Sequence, residues 1–293
     1  MKSWKGKTRG GLLGYKIFIF ILKNLGLLPA YFVLRFVAAY FIIFSPSSTK
    51  HIYHYCREIR KYGKFKSFRS VYKCYYIFGQ TLIDKIAITS GMEDEFSFTS
   101  EGIEHIEALK DTGGVIISAH LGNWDIASYL LKKIDLKINV LMFEAEHEKI
   151  KSYLDKITNT KKVNIIPIRN DLSHIFKVNA ALKNKEVICM HGDRFLQGSR
   201  TIVKPLMGKN ASFPIGPFSI IGKLGVPYTI AFALRGKDRK YHFTATPLFY
   251  GSRSSEEVLD KYISELEEKM ELNPLQWFNF FDFWADVSGA HIS

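Results

Sequence analysis

A histidine and an aspartate five positions apart, His120 and Asp125, close the string His120-Leu-Gly-Asn-Trp-Asp125. An imidazole and a carboxylate are the parts of a general base. The carboxylate accepts the proton on one ring nitrogen and leaves the other nitrogen to take a proton. Brought together, the pair resembles a catalytic triad without its serine, and such a dyad suits deprotonating a hydroxyl on the substrate itself. Side chains five apart point to different faces of a helix, where only residues three or four apart are neighbours. The two meet only if the chain folds back, and Gly122 between them supplies that freedom. The bland alternative is that the polar residues cap a helix start.

A second polar stretch is His191-Gly-Asp-Arg-Phe-Leu-Gln-Gly-Ser-Arg200. Arg194 and Arg200 each carry a planar fork of donors suited to phosphate or carboxylate. Gly198 allows close backbone approach, Asp193 can pair with Arg194, and His191 reads as a loop histidine lining the site.

Both stretches leave the ends of short apolar runs, Gly114 to Ala119 and Glu186 to Met190, which read as buried strands. Further strands are expected over 95–99, 137–143, 163–168, 225–232 and 241–248, with a hairpin at 201–214. Helical patterns fall at 103–110, from Ile126 onward, and over 147–158, 171–184, 215–223 and 254–272. This alternation predicts an α/β fold with a mostly parallel sheet covered by helices. Ligands of such sheets bind at the carboxyl ends of the strands, where both polar stretches lie.

Residues 1–95 read as a helical, membrane-associating region and 96–293 as the α/β domain. The run Leu25 to Phe44 nearly suffices to span a bilayer, but Arg35 inside it is costly at the membrane centre. Either it crosses, or it forms with Gly11 to Leu22 a helical hairpin in the interface; the hairpin is the favoured reading. The chain carries 41 basic and 28 acidic residues, a formal charge of +13, which favours an acidic partner. No zinc-finger or RNA-recognition pattern appears, so nucleic acid is not expected. Three irregularly spaced cysteines suggest reduced thiols, with neither a disulfide framework nor a metal site. His51 and His54 lack a third ligand nearby.

The string Ser118 to Asp125 resembles the His-x-x-x-x-Asp motif of the glycerolipid acyltransferase superfamily, and most closely the bacterial lipid A biosynthesis acyltransferases, the late lauroyl and myristoyl transferases. Phe195-x-x-Gly198-x-Arg200 is similar to the superfamily block whose arginine holds the acceptor's phosphate. Asp193 stands where the family has an acidic residue, and Ala211 to Pro217, Val226-Pro227 and Gln276-Trp277 resemble later family segments. The resemblance implies a glycerol-3-phosphate-acyltransferase-like fold. It implies transfer of an acyl chain from an acyl carrier protein thioester to a hydroxyl of a lipid A precursor, without metal or cofactor, at the cytoplasmic face of the inner membrane. His120 would be the base and Asp125 its orienter; Arg200, Arg194, Asp193, Gly198 and Asn123 would bind substrate. One departure bears on the acceptor: Glu144, Glu146 and His147 follow the strand at 137–143, where the family has an arginine. An amino-acid lipid or lysophospholipid acceptor, hydrolysis of a thioester or lipid ester, and a non-enzymatic membrane-binding protein are the alternatives.

Overall fold

Strand β2 (Gly114–Ser118) is apolar on both faces because it lies in the middle of the sheet, with parallel neighbours on either side. The computed structural model describes residues 12–126, 134, 136–143, 164–168, 173–195, 198–250 and 254–284. Its main sheet has seven strands. Besides β2 these are β1 (Ser97–Glu101), β3 (Ile138–Phe143), β4 (Asn164–Ile168), β5 (Val187–His191), β8 (Tyr228–Arg235) and β9 (Lys240–Ala245), in the order β1-β9-β8-β2-β5-β3-β4. All pairings are parallel except the β8–β9 hairpin. Parallel strands need helices on both faces, which is why β8 reads as one continuous buried run. The pair β6 (Thr201–Leu206) and β7 (Lys209–Pro214) forms the expected separate hairpin.

Several boundaries move for local reasons. Strand β8 begins after Pro227, which has no N–H to give a ladder, rather than at 225. Strand β5 runs on through His191, so that residue is a strand end held in register opposite Ser118, not a loop histidine. The helix expected over 103–110 is two short ones, α5 (Ile103–Glu107) and α6 (Leu109–Thr112). Helices α7 (Ser173–Lys183), α8 (Ile215–Leu224) and α9 (Ser255–Leu272) fall where the periodicity places them. The helix expected over 147–158, most of the one after Ile126, and Glu144, Glu146 and His147 lie outside the described residues.

At the N-terminal end, α1 (Leu12–Leu25) and α2 (Leu27–Phe44) are separated by Gly26. Helix α2 is long and apolar enough to cross a membrane. It is two-sided nonetheless. Leu27, Ala30, Tyr31, Leu34 and Ala38, at helical spacing, are buried. Phe32, Phe36, Tyr40 and Phe44, four apart along the other side, are exposed. Arg35 is exposed beside them. The buried side meets α4 (Lys64–Thr89), reached through α3 (Pro46–His54) and a π turn at Tyr55–Ile59. The hydroxyl of Tyr72 on α4 reaches the Arg35 carbonyl at 3.4 Å.

One buried polar knot pins this helical layer to the sheet. The fully buried Asp84 of α4 accepts hydrogen bonds from Tyr31 Oη of α2, from Tyr241 Oη of β9 and, at 2.8 Å, from Arg235 Nε at the end of β8. A buried carboxylate is tolerable only when paired and hydrogen-bonded in this way. Residues of α2, α3, α4, the sheet, α9 and the C-terminal aromatics belong to a single apolar cluster.

Candidate active site

The chain after β2 turns sharply at the carboxyl end of the sheet. Gly122 adopts φ +74°, and a Cβ there would lie 2.1 Å from the Ala233 carbonyl oxygen, so only glycine fits. The turn is threaded between β8 and the segment that follows α9. Asn123 N donates to Ala233 O at 2.7 Å, Gly122 N to Gln276 O at 2.9 Å, and Phe278 N to His120 O at 2.8 Å. His120 therefore sits on a loop whose backbone is tied on both sides.

Its partner is not the aspartate of its own string. His120 Nδ1 lies 2.7 Å from Asp193 Oδ1, and the His120 backbone N–H donates to Asp193 Oδ2 at 3.0 Å. Asp193 has no exposed surface; Trp277 Nε1 (3.2 Å) and Asn279 Nδ2 (3.3 Å) also donate to its Oδ2. The expected His120–Asp125 pairing is corrected accordingly: Asp125 Oδ1 is 2.8 Å from Lys85 Nζ of α4. The loop carries Asp125 into the start of the next helix, toward α4, and the imidazole faces β5 instead. Asp125 still attracts a protonated His120 electrostatically, but more weakly than Asp193.

Three other expectations change in the same way. Asn123 is buried and donates to Thr81 O at 2.9 Å and toward Tyr241 Oη at 3.4 Å, so it braces the turn against α4 and β9 rather than facing substrate. Arg194 donates from Nε to Asn279 Oδ1 at 3.0 Å and from Nη2 to Phe278 O at 2.6 Å, fastening the C-terminal segment over the aspartate. Asp193, expected on the substrate, faces the histidine. Gly198, at φ +87°, and Arg200 are exposed at the entry to β6.

The site's protonation follows from burial and from these partners. Burial, then the Arg194 charge, push the His120 pKa below the ordinary histidine value, against the pull of Asp193. His191 is pushed down further, by burial and by His120 beside it. Burial alone would raise Asp193, but His120 and Arg194 hold its carboxylate well below the usual range. At neutral pH the site thus contains a neutral imidazole backed by an ionised carboxylate. Its Nδ1–H is committed to Asp193, and Nε2 is the nitrogen left to accept a proton. Tyr262 beneath the site donates to the Ser118 carbonyl at 3.1 Å.

Cysteine chemistry is not poised here. Burial pushes Cys56 up to about 11 and Cys189 up to about 12, far from a thiolate. Among the described residues no group of histidine, cysteine and carboxylate side chains could hold a metal ion. The residues missed by sequence reasoning are Trp277, Asn279 and Lys85. The Gln276-Trp277 resemblance marked the segment, but nothing in the sequence said that it touches Asp193.

The sequence profile described as bacterial lipid A biosynthesis acyltransferase matches residues 67–285, which is most of the chain. A comparison with curated proteins gave no match. Among solved structures, the 1-acyl-sn-glycerophosphate (LPA) acyltransferase PlsC from Thermotoga maritima is similar, with 18% identity and a TM-score of 0.39 over 79% of this chain and 96% of that one. With the profile spanning every residue of the His120–Asp193 site, this acyltransferase belongs to the bacterial lipid A biosynthesis acyltransferase family.

Proposed function

We propose that the protein transfers a fatty acyl chain from an acyl carrier protein thioester to a hydroxyl of a lipid A precursor. His120 is the general base and Asp193 its orienter. The observation that carries the reading is the 2.7 Å contact between His120 Nδ1 and the fully buried Asp193 carboxylate. That contact fixes the tautomer and leaves Nε2 basic. A lipid hydroxyl is a poor nucleophile at neutral pH and needs such a base. The hydroxyl oxygen attacks the thioester carbon while Nε2 takes its proton. The carbonyl electron pair moves onto oxygen, then re-forms the C=O and expels the thiolate. His120 returns its proton to the sulfur. Asp193 stays ionised throughout and stabilises the imidazolium. No covalent enzyme intermediate is required.

Arg200, exposed after Gly198, binds the phosphate of the acceptor. The exposed aromatic side of α2 rests in the cytoplasmic face of the inner membrane, which brings the lipid acceptor to the enzyme. The charge of +13 favours both an anionic bilayer and an acidic carrier protein. The test is mass spectrometry of membrane lipids from cells lacking the protein and from cells carrying His120→Ala. Both are expected to lose one acyl chain from lipid A. Loss from a phospholipid or an amino-acid lipid would keep the chemistry and replace the acceptor. Wild-type lipids in the His120→Ala strain would remove the base from the mechanism.

A further inference from the structure

His191 is a second imidazole in the site that the reaction above does not use. It ends β5, in register opposite Ser118 at the end of β2. Its ring centre is 4.3 Å from that of His120, tilted 61°. The Trp124 ring centre lies 5.1 Å from that of His191, nearly perpendicular to it. The residue is partly exposed, and among the described residues its ring nitrogens have no hydrogen-bond partner. The next residue, Gly192, is packed so closely that a Cβ would lie 2.8 Å from the Phe218 ring, which fixes the strand end. An imidazole packed against two rings, with an N–H engaging no described protein atom, is a preorganised donor.

His191 is unsuited to be a second base. Among the described residues no carboxylate holds its ring as Asp193 holds His120, and two imidazoles in contact cannot both carry the proton. Burial and the neighbouring His120 keep it uncharged. What remains is donation of a neutral N–H to the place where negative charge develops, a role a histidine with depressed pKa can fill. The geometry allows it. The attacking oxygen must come within about 3 Å of the free His120 nitrogen. The thioester carbonyl lies one forming bond beyond, within reach of a ring 4.3 Å from His120.

Resting on the acyl-transfer reading, we propose that His191 is a further catalytic residue, whose imidazole N–H donates a hydrogen bond to the thioester carbonyl oxygen as it becomes an oxyanion. When the acceptor oxygen bonds to the carbonyl carbon, the hydroxyl proton goes to His120 and the C=O pair moves onto the oxygen that His191 holds. When that pair returns, the C–S bond breaks and the thiolate leaves with its electrons. His191 neither gains nor loses a proton.

The experiment uses the full chain in detergent or vesicles, with lauroyl acyl carrier protein and a purified lipid A precursor, and follows release of the carrier thiol. His191→Phe keeps a ring against His120 and Trp124 but has no N–H; His191→Leu is a second variant without the donor. His191→Gln and His191→Asn restore one. Loss of the donor is expected to lower kcat by about 10²–10³-fold, with the KM for the thioester within about threefold. At least one amide variant should recover about tenfold or more, which a purely structural role would not produce. A kcat within threefold of wild type in His191→Phe or His191→Leu would overturn the proposal. So would amide variants no better than the apolar ones. No thiol release by the wild type would overturn the acyl-transfer reading, and this inference with it.

Discussion

Replacing Asp193 by asparagine should lower turnover by about 10⁴-fold while leaving the protein folded. Four donors converge on this carboxylate: His120 Nδ1 on Oδ1, and His120 N, Trp277 Nε1 and Asn279 Nδ2 on Oδ2. An asparagine has one acceptor oxygen and one NH2 group. Its best orientation puts the oxygen where three donors already point and turns the NH2 toward His120 Nδ1. That nitrogen must then be an acceptor, so the imidazole proton moves to Nε2 and the base is lost. The comparable change in a serine protease triad costs about 10⁴-fold in rate. At about 1.36 kcal/mol per decade this is about 5.4 kcal/mol of transition-state stabilisation. The folding cost is smaller, about 1.5–3 kcal/mol for one charged hydrogen bond. The assay is carrier-thiol release by Asp193→Asn and Asp125→Asn side by side, with thermal unfolding of each. Asp125 and Lys85 are both partly exposed, at 22% and 32%, and such pairs contribute only about 0–1 kcal/mol. Asp125→Asn should therefore lose no more than about tenfold. Asp193→Asn within tenfold of wild type, or a larger loss from Asp125→Asn than from Asp193→Asn, would refute the assignment.

The acid limb of kcat/KM should fall below the ordinary histidine value of about 6.5, because burial depresses the folded pKa of His120 and activity disappears as pH drops through it; a limb above that value would contradict the burial argument. His191 also binds its proton less readily in the folded state than in the unfolded one, so it lowers stability progressively as pH falls below about 6.5, and unfolding titrations of His191→Phe should show a shallower acid slope. Asp84→Ala strands the Arg235 charge and two tyrosine hydroxyls beside it, and should cost about 3–5 kcal/mol in denaturant unfolding, whereas a loss under 1 kcal/mol would show that the knot relaxes. Arg200→Lys retains the charge but not the fork, and should raise the KM for a phosphorylated acceptor by about tenfold with kcat little changed; an unchanged KM would remove Arg200 from the acceptor site.

The alternation of short β-branched runs with amphipathic segments was enough to place most strands of the sheet, because each element is dictated by its own side-chain period. The position of His120 at a strand end, and so in the sheet's binding edge, followed for the same reason. The two-sidedness of α2 was less legible. Its sequence is apolar nearly all round, and only packing on α4 separates the buried Leu34 from the exposed Phe36.

What the sequence by itself determined, then, is a histidine on a glycine turn at the end of a central strand. Which carboxylate meets that imidazole was decided by the tertiary structure. The candidate five residues away is turned toward Lys85, and the one 73 residues away is brought beside the imidazole by the pairing of β2 with β5. Local spacing limits what can meet along a helix or turn, but parallel strands bring distant strand ends together through register. The same pairing brings His191 beside His120, and the C-terminal segment closes Trp277 and Asn279 over Asp193. Contacts set by strand register and by packing of distant segments leave no periodic trace in the sequence.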